Sequence, residues 1–165
     1  MENELYSNTK YSFERDESKT IIINVPMTTT SNTFDVSLPE SLIVDRHADI
    51  YLDSLTTYYC KTHKGDSNNM GFILSIDQFE IKSVSNTSSI GRSIFIPNDQ
   101  NIDGSTASDL AISKTHKGKK LNYICSINPS NINRISGKIT NIDGENIFAG
   151  AGRFIAEFVI ISKKN

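Results

Sequence analysis

The stretch Gly152-Arg153-Phe154-Ile155-Ala156-Glu157-Phe158-Val159-Ile160-Ile161 constrains the fold more than any other part of the chain. A period of two sorts Phe154, Ala156, Phe158 and Ile160 onto one wholly apolar face, and Arg153, Ile155, Glu157, Val159 and Ile161 onto a mixed one. That pattern predicts a central β-strand whose second face is mostly covered. A helix is disfavoured, because β-branched residues dominate the end of the run and no cap signal precedes it.

Composition extends this reading to the whole chain. Ile occurs 23 times against 8 Leu and 6 Ala, so the apolar content is β-branched rather than helix-forming. Ser, Thr and Asn add 50 residues that favour turns and loop edges over helix interiors. An all-β class follows. The 165 residues suit one domain that buries roughly two-thirds of its unfolded surface.

Charge and cysteine use narrow the function classes. A net charge of −2 supplies no global attraction to nucleic acid or to anionic membrane. No apolar run approaches the roughly 20 residues of a membrane span, and Met1 to Lys19 has no signal-peptide core. The expectation is a soluble protein made in a cytosol. There Cys60 and Cys125 would remain thiols and the sequon Asn86-Thr87-Ser88 would be idle.

In chain order, residues 1 to 19 read as a loose polar arm in which Leu5, Tyr6, Tyr11 and Phe13 are scattered apolar points, with an arm anchored by them on a neighbouring subunit as the alternative, and residues 20 to 165 as the folded domain. Thr20 to Val25 is a strand stopped by Pro26, and Thr33 to Leu38 is a second stopped by Pro39. Ser41 to Val44 follows, then Ala48 to Cys60, whose apolar phase changes between Leu52 and Leu55 and predicts a bulge. Met70 to Lys82 predicts a long strand with one extra residue near Asp77-Gln78. Ser93 to Ile96 is short, and residues 98 to 120 form a long loop with a helical turn around Ser108 to Ile112. Leu121 to Ile127 and Ile132 to Thr140 complete the set, the latter with a bulge at Gly137; Asn141-Ile142-Asp143-Gly144 then predicts a hairpin turn into the last strand. Eight or nine short strands imply a two-sheet antiparallel β-sandwich of Greek-key type, the jelly roll included. Its predicted core contains Phe72, Leu74, Tyr123, Cys125, Phe154 and Phe158.

Candidate chemistry is sparse. Cys60, His63, His116 and Cys125 could join as a zinc site if their loops met, but the spacing is unlike a compact zinc knuckle and Cys125 sits in a core phase. Lys114, Lys117, Lys119 and Lys120 form a positive patch without interleaved aromatics, which favours a solvated loop or a subunit contact over base stacking. The acid pairs Asp49/Asp53 and Asp77/Glu80 fit solvent-facing strand positions better than glycosidase carboxylates. No nucleophile elbow, phosphate loop or His-Glu-x-x-His is present. The reading is therefore no catalytic, cofactor-binding or metal-binding residues, and no enzyme.

Several segments together carry a likeness: Ser37-Leu38-Pro39-Glu40-Ser41-Leu42-Ile43-Val44-Asp45, Asp49-Ile50-Tyr51-Leu52-Asp53, Met70-Gly71-Phe72-Ile73-Leu74, Ile96-Pro97-Asn98, Leu121-Asn122-Tyr123 and Arg153-Phe154-Ile155-Ala156-Glu157-Phe158. They resemble the small single jelly-roll capsid-associated proteins of large double-stranded DNA viruses, a group that includes minor capsid and penton proteins. The resemblance implies a virion structural subunit made in the host cytoplasm. It would need no cofactor, nucleic acid or membrane span, and would assemble as a homo-oligomer, a pentamer among the options, beside neighbouring capsid proteins. A host- or carbohydrate-binding head of a virion fibre is the alternative on the same architecture; a metal- or sugar-dependent enzyme ranks below it. In an assembly, the arm and the loop of residues 98 to 120 are expected at subunit contacts.

Overall fold

Alternating burial along long β-branched segments produces two antiparallel sheets that face each other. The computed structural model describes residues 18–60, 67–88, 90–98, 113–116 and 122–163. Its strands are β1 (Ser18–Met27), β2 (Thr33–Val44), β3 (Ala48–Cys60), β4 (Gly71–Ile76), β5 (Ile94–Pro97), β6 (Ser113–His116), β7 (Asn122–Ile127), β8 (Ser130–Asn141) and β9 (Phe148–Ser162). One sheet has the order β1-β9-β3, with β6 and β7 both pairing the far edge of β3; the other has the order β2-β8-β4-β5. The pairings are nested: β1 with β9, β2 with β8, β3 with β7, and β4 with β5. The chain thus behaves as one long antiparallel hairpin whose successive strand pairs are dealt alternately to two layers.

The last strand is central. β9 lies between β1 and β3, and Phe154, Ala156, Phe158 and Ile160 are buried along its inner face. Aromatic contacts join the layers across that face, with Phe34 edge-on to Phe154 at 5.1 Å between ring centroids and Phe79 edge-on to Phe158 at 5.5 Å. The outer face differs from expectation. It is open, with Arg153 and Ile155 exposed and Glu157, Val159 and Ile161 half-buried.

The predicted bulge in β3 is present, as a register shift between Leu52 and Ser54. Other local expectations need correction. Pro26 and Pro39 end no strand: each sits inside an edge strand, where only one side of the backbone must pair, and Pro39 falls within the register break between Ser37 and Leu42. Ser18 and Lys19, assigned by sequence to the arm, already belong to β1. β4 stops at Ile76, and the chain turns at Asp77-Gln78, yet Phe79 and Ile81 remain buried as expected. The Asn141 turn forms, with Asn141 Oδ1 accepting from the amides of Asp143 (3.0 Å) and Glu145 (2.9 Å) and Gly144 at φ 85°. It closes no hairpin, because β8 and β9 belong to different sheets.

Tyr123 is the one misplaced core residue. It is 55% exposed, while Ile124 and Cys125 are both buried. The cause is a register shift in which Ile50 pairs Cys125 but Tyr51 pairs Tyr123, so Ile124 is the extra residue and the phase flips there. Residues 1–17, 99–112 and 117–121, which include most of the arm, the helical turn and Lys117, Lys119 and Lys120, lie outside the described residues.

Gly137 is not a bulge either; register is continuous through it. A Cβ there would stand 2.0 Å from the carbonyl oxygen of Ser75 and 3.0 Å from Phe34 Cζ, so glycine permits the close approach of β8 to β4. Gly137→Ala is expected to destabilise the fold by about 1 to 3 kcal/mol through overpacking. Phe158→Ala should cost about 3 to 5 kcal/mol through lost transfer energy and the cavity left behind. Denaturant titration of both variants checks these values, and a wild-type midpoint for Phe158→Ala would contradict the central place of β9.

Candidate functional site

The two sheets part along one side of the sandwich. β5 pairs only with β4 and β7 only with β3 among the described strands, so each leaves a backbone edge facing that side. Between them runs a cleft of about 730 Å³, lined by β5, β7 and the segment after β4. Alternation aims Ile94 and Ile96 into the core and leaves Phe95 44% exposed at the cleft; from β7, the bulge at Ile124 delivers Tyr123 to it. The segment between is held by Ser83, whose hydroxyl donates to the Ser93 carbonyl (2.8 Å) and accepts from the Ser93 amide (2.9 Å), and it carries the exposed Val84. The rim thus offers an apolar, partly aromatic surface beside serine and asparagine side chains.

Polar groups at one end of the cleft are tied to one another. Tyr123 Oη lies 3.1 Å from Ser126 Oγ, which donates to Asp49 Oδ1 at 2.5 Å; Lys163 Nζ meets the same carboxylate at 3.0 Å. Burial pushes the Asp49 carboxyl up, but the Ser126 hydrogen bond and then Lys163 outweigh it, leaving it below the usual carboxylate range. His47 Nδ1 sits 3.2 Å from Asn128 Oδ1. On the other sheet, Asp77 accepts from Ser136 Oγ at 2.7 Å, and Asp35 forms a two-point pair with Arg134. Asp49 and Asp77 therefore serve in the structure as hydrogen-bond acceptors linking strands, while Asp53 and Glu80 are exposed.

The described residues among those weighed as zinc ligands do not converge. Leu55 of β3 pairs His116, Ile50 pairs Cys125, and Cys60 ends the strand, so Cys60 and Cys125 are separated by ten positions, or about 30 Å along β3. Liganding distances of about 2 Å are out of reach for that set; His63 lies outside the described residues. Among the described residues no group of three His, Cys, Asp or Glu side chains could hold an ion. His116 instead faces the core, with Nε2 2.7 Å from Thr57 Oγ1 and its ring edge-on to Phe72 at 4.6 Å. No described helix is long and apolar enough to cross a membrane.

Sequence reasoning missed Phe95, Tyr123 and Val84 as a shared surface. The signal for Phe95 was present, since period two in Ile94-Phe95-Ile96 opposes it to two core isoleucines. Tyr123 depended on a bulge that no turn residue announces.

No protein-family model matches the chain, and no curated protein is significantly similar to it. Among solved structures, a chain in the structure of infectious bursal disease virus, Gx strain, aligns with 92% of this chain at 15% identity and a TM-score of 0.35. This protein spans 33% of the length of that chain.

Cys125 backs the cleft, and burial, followed by the charges of Glu80 and Asp49, pushes its thiol up to about 11. Near neutral pH it is therefore protonated and a poor nucleophile. In the unfolded chain it would ionise near 9.0, so the folded state loses stability as pH rises from that value through about 11. Cys125→Ser should flatten that alkaline loss, read as the denaturation midpoint between pH 8 and 11; an unchanged slope would place its origin elsewhere.

Proposed function

We propose that the protein is a structural subunit of a virion, a single jelly roll of the penton or minor capsid kind, acting by assembly rather than by turnover. The observation that carries the reading is the nested pairing order around a filled interior. Pairing first strand with last, second with second-last and so inward is what rolling one long hairpin into two layers produces, which is the jelly-roll arrangement of many capsid domains.

The inside of the sandwich supports a scaffold in preference to a catalyst. It is filled by Ile23, Ile50, Leu55, Phe72, Ile135, Phe148, Phe154 and other fully buried apolar side chains. The fully buried polar pair, Thr57 and His116, is bonded to itself. An enzyme needs convergent polar groups in a concave site; here the interior is given to packing, and the sequence resemblance to virion proteins agrees with that use.

The exposed Phe95 and Tyr123 at the cleft favour the second reading, a glycan- or host-binding head on a virion fibre. Negative-stain electron microscopy of the concentrated full-length protein, with a glycan array run on the same sample, separates the two. Closed rings or shell fragments without glycan signal are expected. A protein that stays monomeric and binds a glycan in a Tyr123→Ala-sensitive way would replace the capsid reading with the fibre head.

A further inference from the structure

The outward face of the β9 sheet carries apolar side chains among polar ones: Thr20, Asn24 and Thr56 flank β9 in its middle, and Asp49 and Asp53 lie towards one end. Of the five outward positions from Arg153 to Ile161, Ile155, Val159 and Ile161 are apolar and Arg153 and Glu157 are charged. On the flanking strands, Ile22 is 63% and Tyr58 40% exposed, beside Ile155 at 37%. A sheet face that stays in solvent ordinarily presents polar residues.

The two charges are placed symmetrically. Arg153 and Glu157 lie two residues either side of Ile155, and neither makes an ion pair among the described residues. Turned end over end, the order positive, apolar, negative becomes its own complement. Laid alongside itself in the same direction, it would put like charge on like.

We propose that this face packs on the same face of a second copy about a two-fold axis through Ile155, with the two β9 strands antiparallel and Arg153 of each copy against Glu157 of the other. Such a contact is self-complementary, as an isologous interface must be. β1 agrees with it: Ile22 is level with Glu157 and Pro26 with Arg153, so the same axis lays Ile22 of one copy over Pro26 of the other. Facing sheets cross at about 30° and lie about 10 Å apart. Two residues is about 7 Å from the axis, so that crossing displaces the charged pair sideways by only about 3 Å, within the reach of an arginine side chain. A partner of other origin would need to carry the complementary pattern, and this chain already carries it. The inference does not depend on the virion reading.

Sedimentation equilibrium of the full chain tests it, with circular dichroism melts to establish that each variant is folded. The wild type should form a concentration-dependent dimer. Glu157→Arg and Arg153→Glu should each weaken it at least about tenfold, since each reversal sets like charges together twice. The double variant should recover affinity to within about threefold, because both pairs are restored with their signs exchanged. Ile155→Cys, on the axis, should give a covalent dimer with a short bis-maleimide, and this readout stands even if a charge variant does not fold. Three results would overturn the proposal: a wild-type monomer, single reversals without effect, or a double variant no better than the singles, which would mean the face meets a different surface.

Discussion

The contact on which the rest of the structure depends is the inner face of β9 against the opposing sheet. Phe154 and Phe158 meet Phe34 and Phe79 edge-on, which adds directional preference to the apolar burial between layers. Because β9 also carries β1 on one side and β3 on the other, burying this one row positions most of its sheet. β3 in turn supplies the edge for β6 and β7. The hierarchy explains why the last-formed segment of the chain is also its organising one. Nested pairing makes almost every contact long in sequence, and β1 cannot find its place until β9 exists.

Elements were legible in the sequence wherever a single period ran uninterrupted. β9, β3 and β5 follow directly from alternation, and the break between Leu52 and Leu55 announced its own bulge. What failed was anything decided by position within a sheet. Pro26 and Pro39 look like strand ends in the sequence because their tolerance comes from lying at an edge, and edge status is a property of the assembled sheet. Gly137 looks like a bulge in the sequence because glycine in a strand has two causes, and only the nearness of Ser75 distinguishes them. Of the cleft, Phe95 was readable and Tyr123 was not, since one unannounced extra residue at Ile124 leaves Cys125 and Ile127 on the inner face but turns Tyr123 to the outer one.

The short strand β6 poses a different problem of register. It has four residues and shares the edge of β3 with β7, so backbone pairing alone would hold it weakly. His116 supplies what is missing. It pairs with Leu55 but reaches diagonally to the hydroxyl of Thr57, while its ring packs on Phe72 of the opposite sheet. A slip of β6 along β3 would break that bond inside the core and leave Thr57, fully buried, without it. The polar pair is thus better understood as a register pin than as remnant chemistry.

A closed interior and an open exterior then become two sides of one arrangement. Stability comes from residues between the layers, where Phe, Ile and Leu dominate and the fully buried Thr57 and His116 are bonded to each other. The surfaces that stabilisation does not consume are the partly apolar outer face of β9 and the cleft between β5 and β7. Each combines exposed apolar side chains with a few oriented polar groups, a composition found at contacts between macromolecules. Polar outward residues would serve folding of the sandwich equally well, so folding alone does not require Ile22, Ile155 or Tyr58 at these positions. Their presence is accounted for when this face is covered by another protein surface.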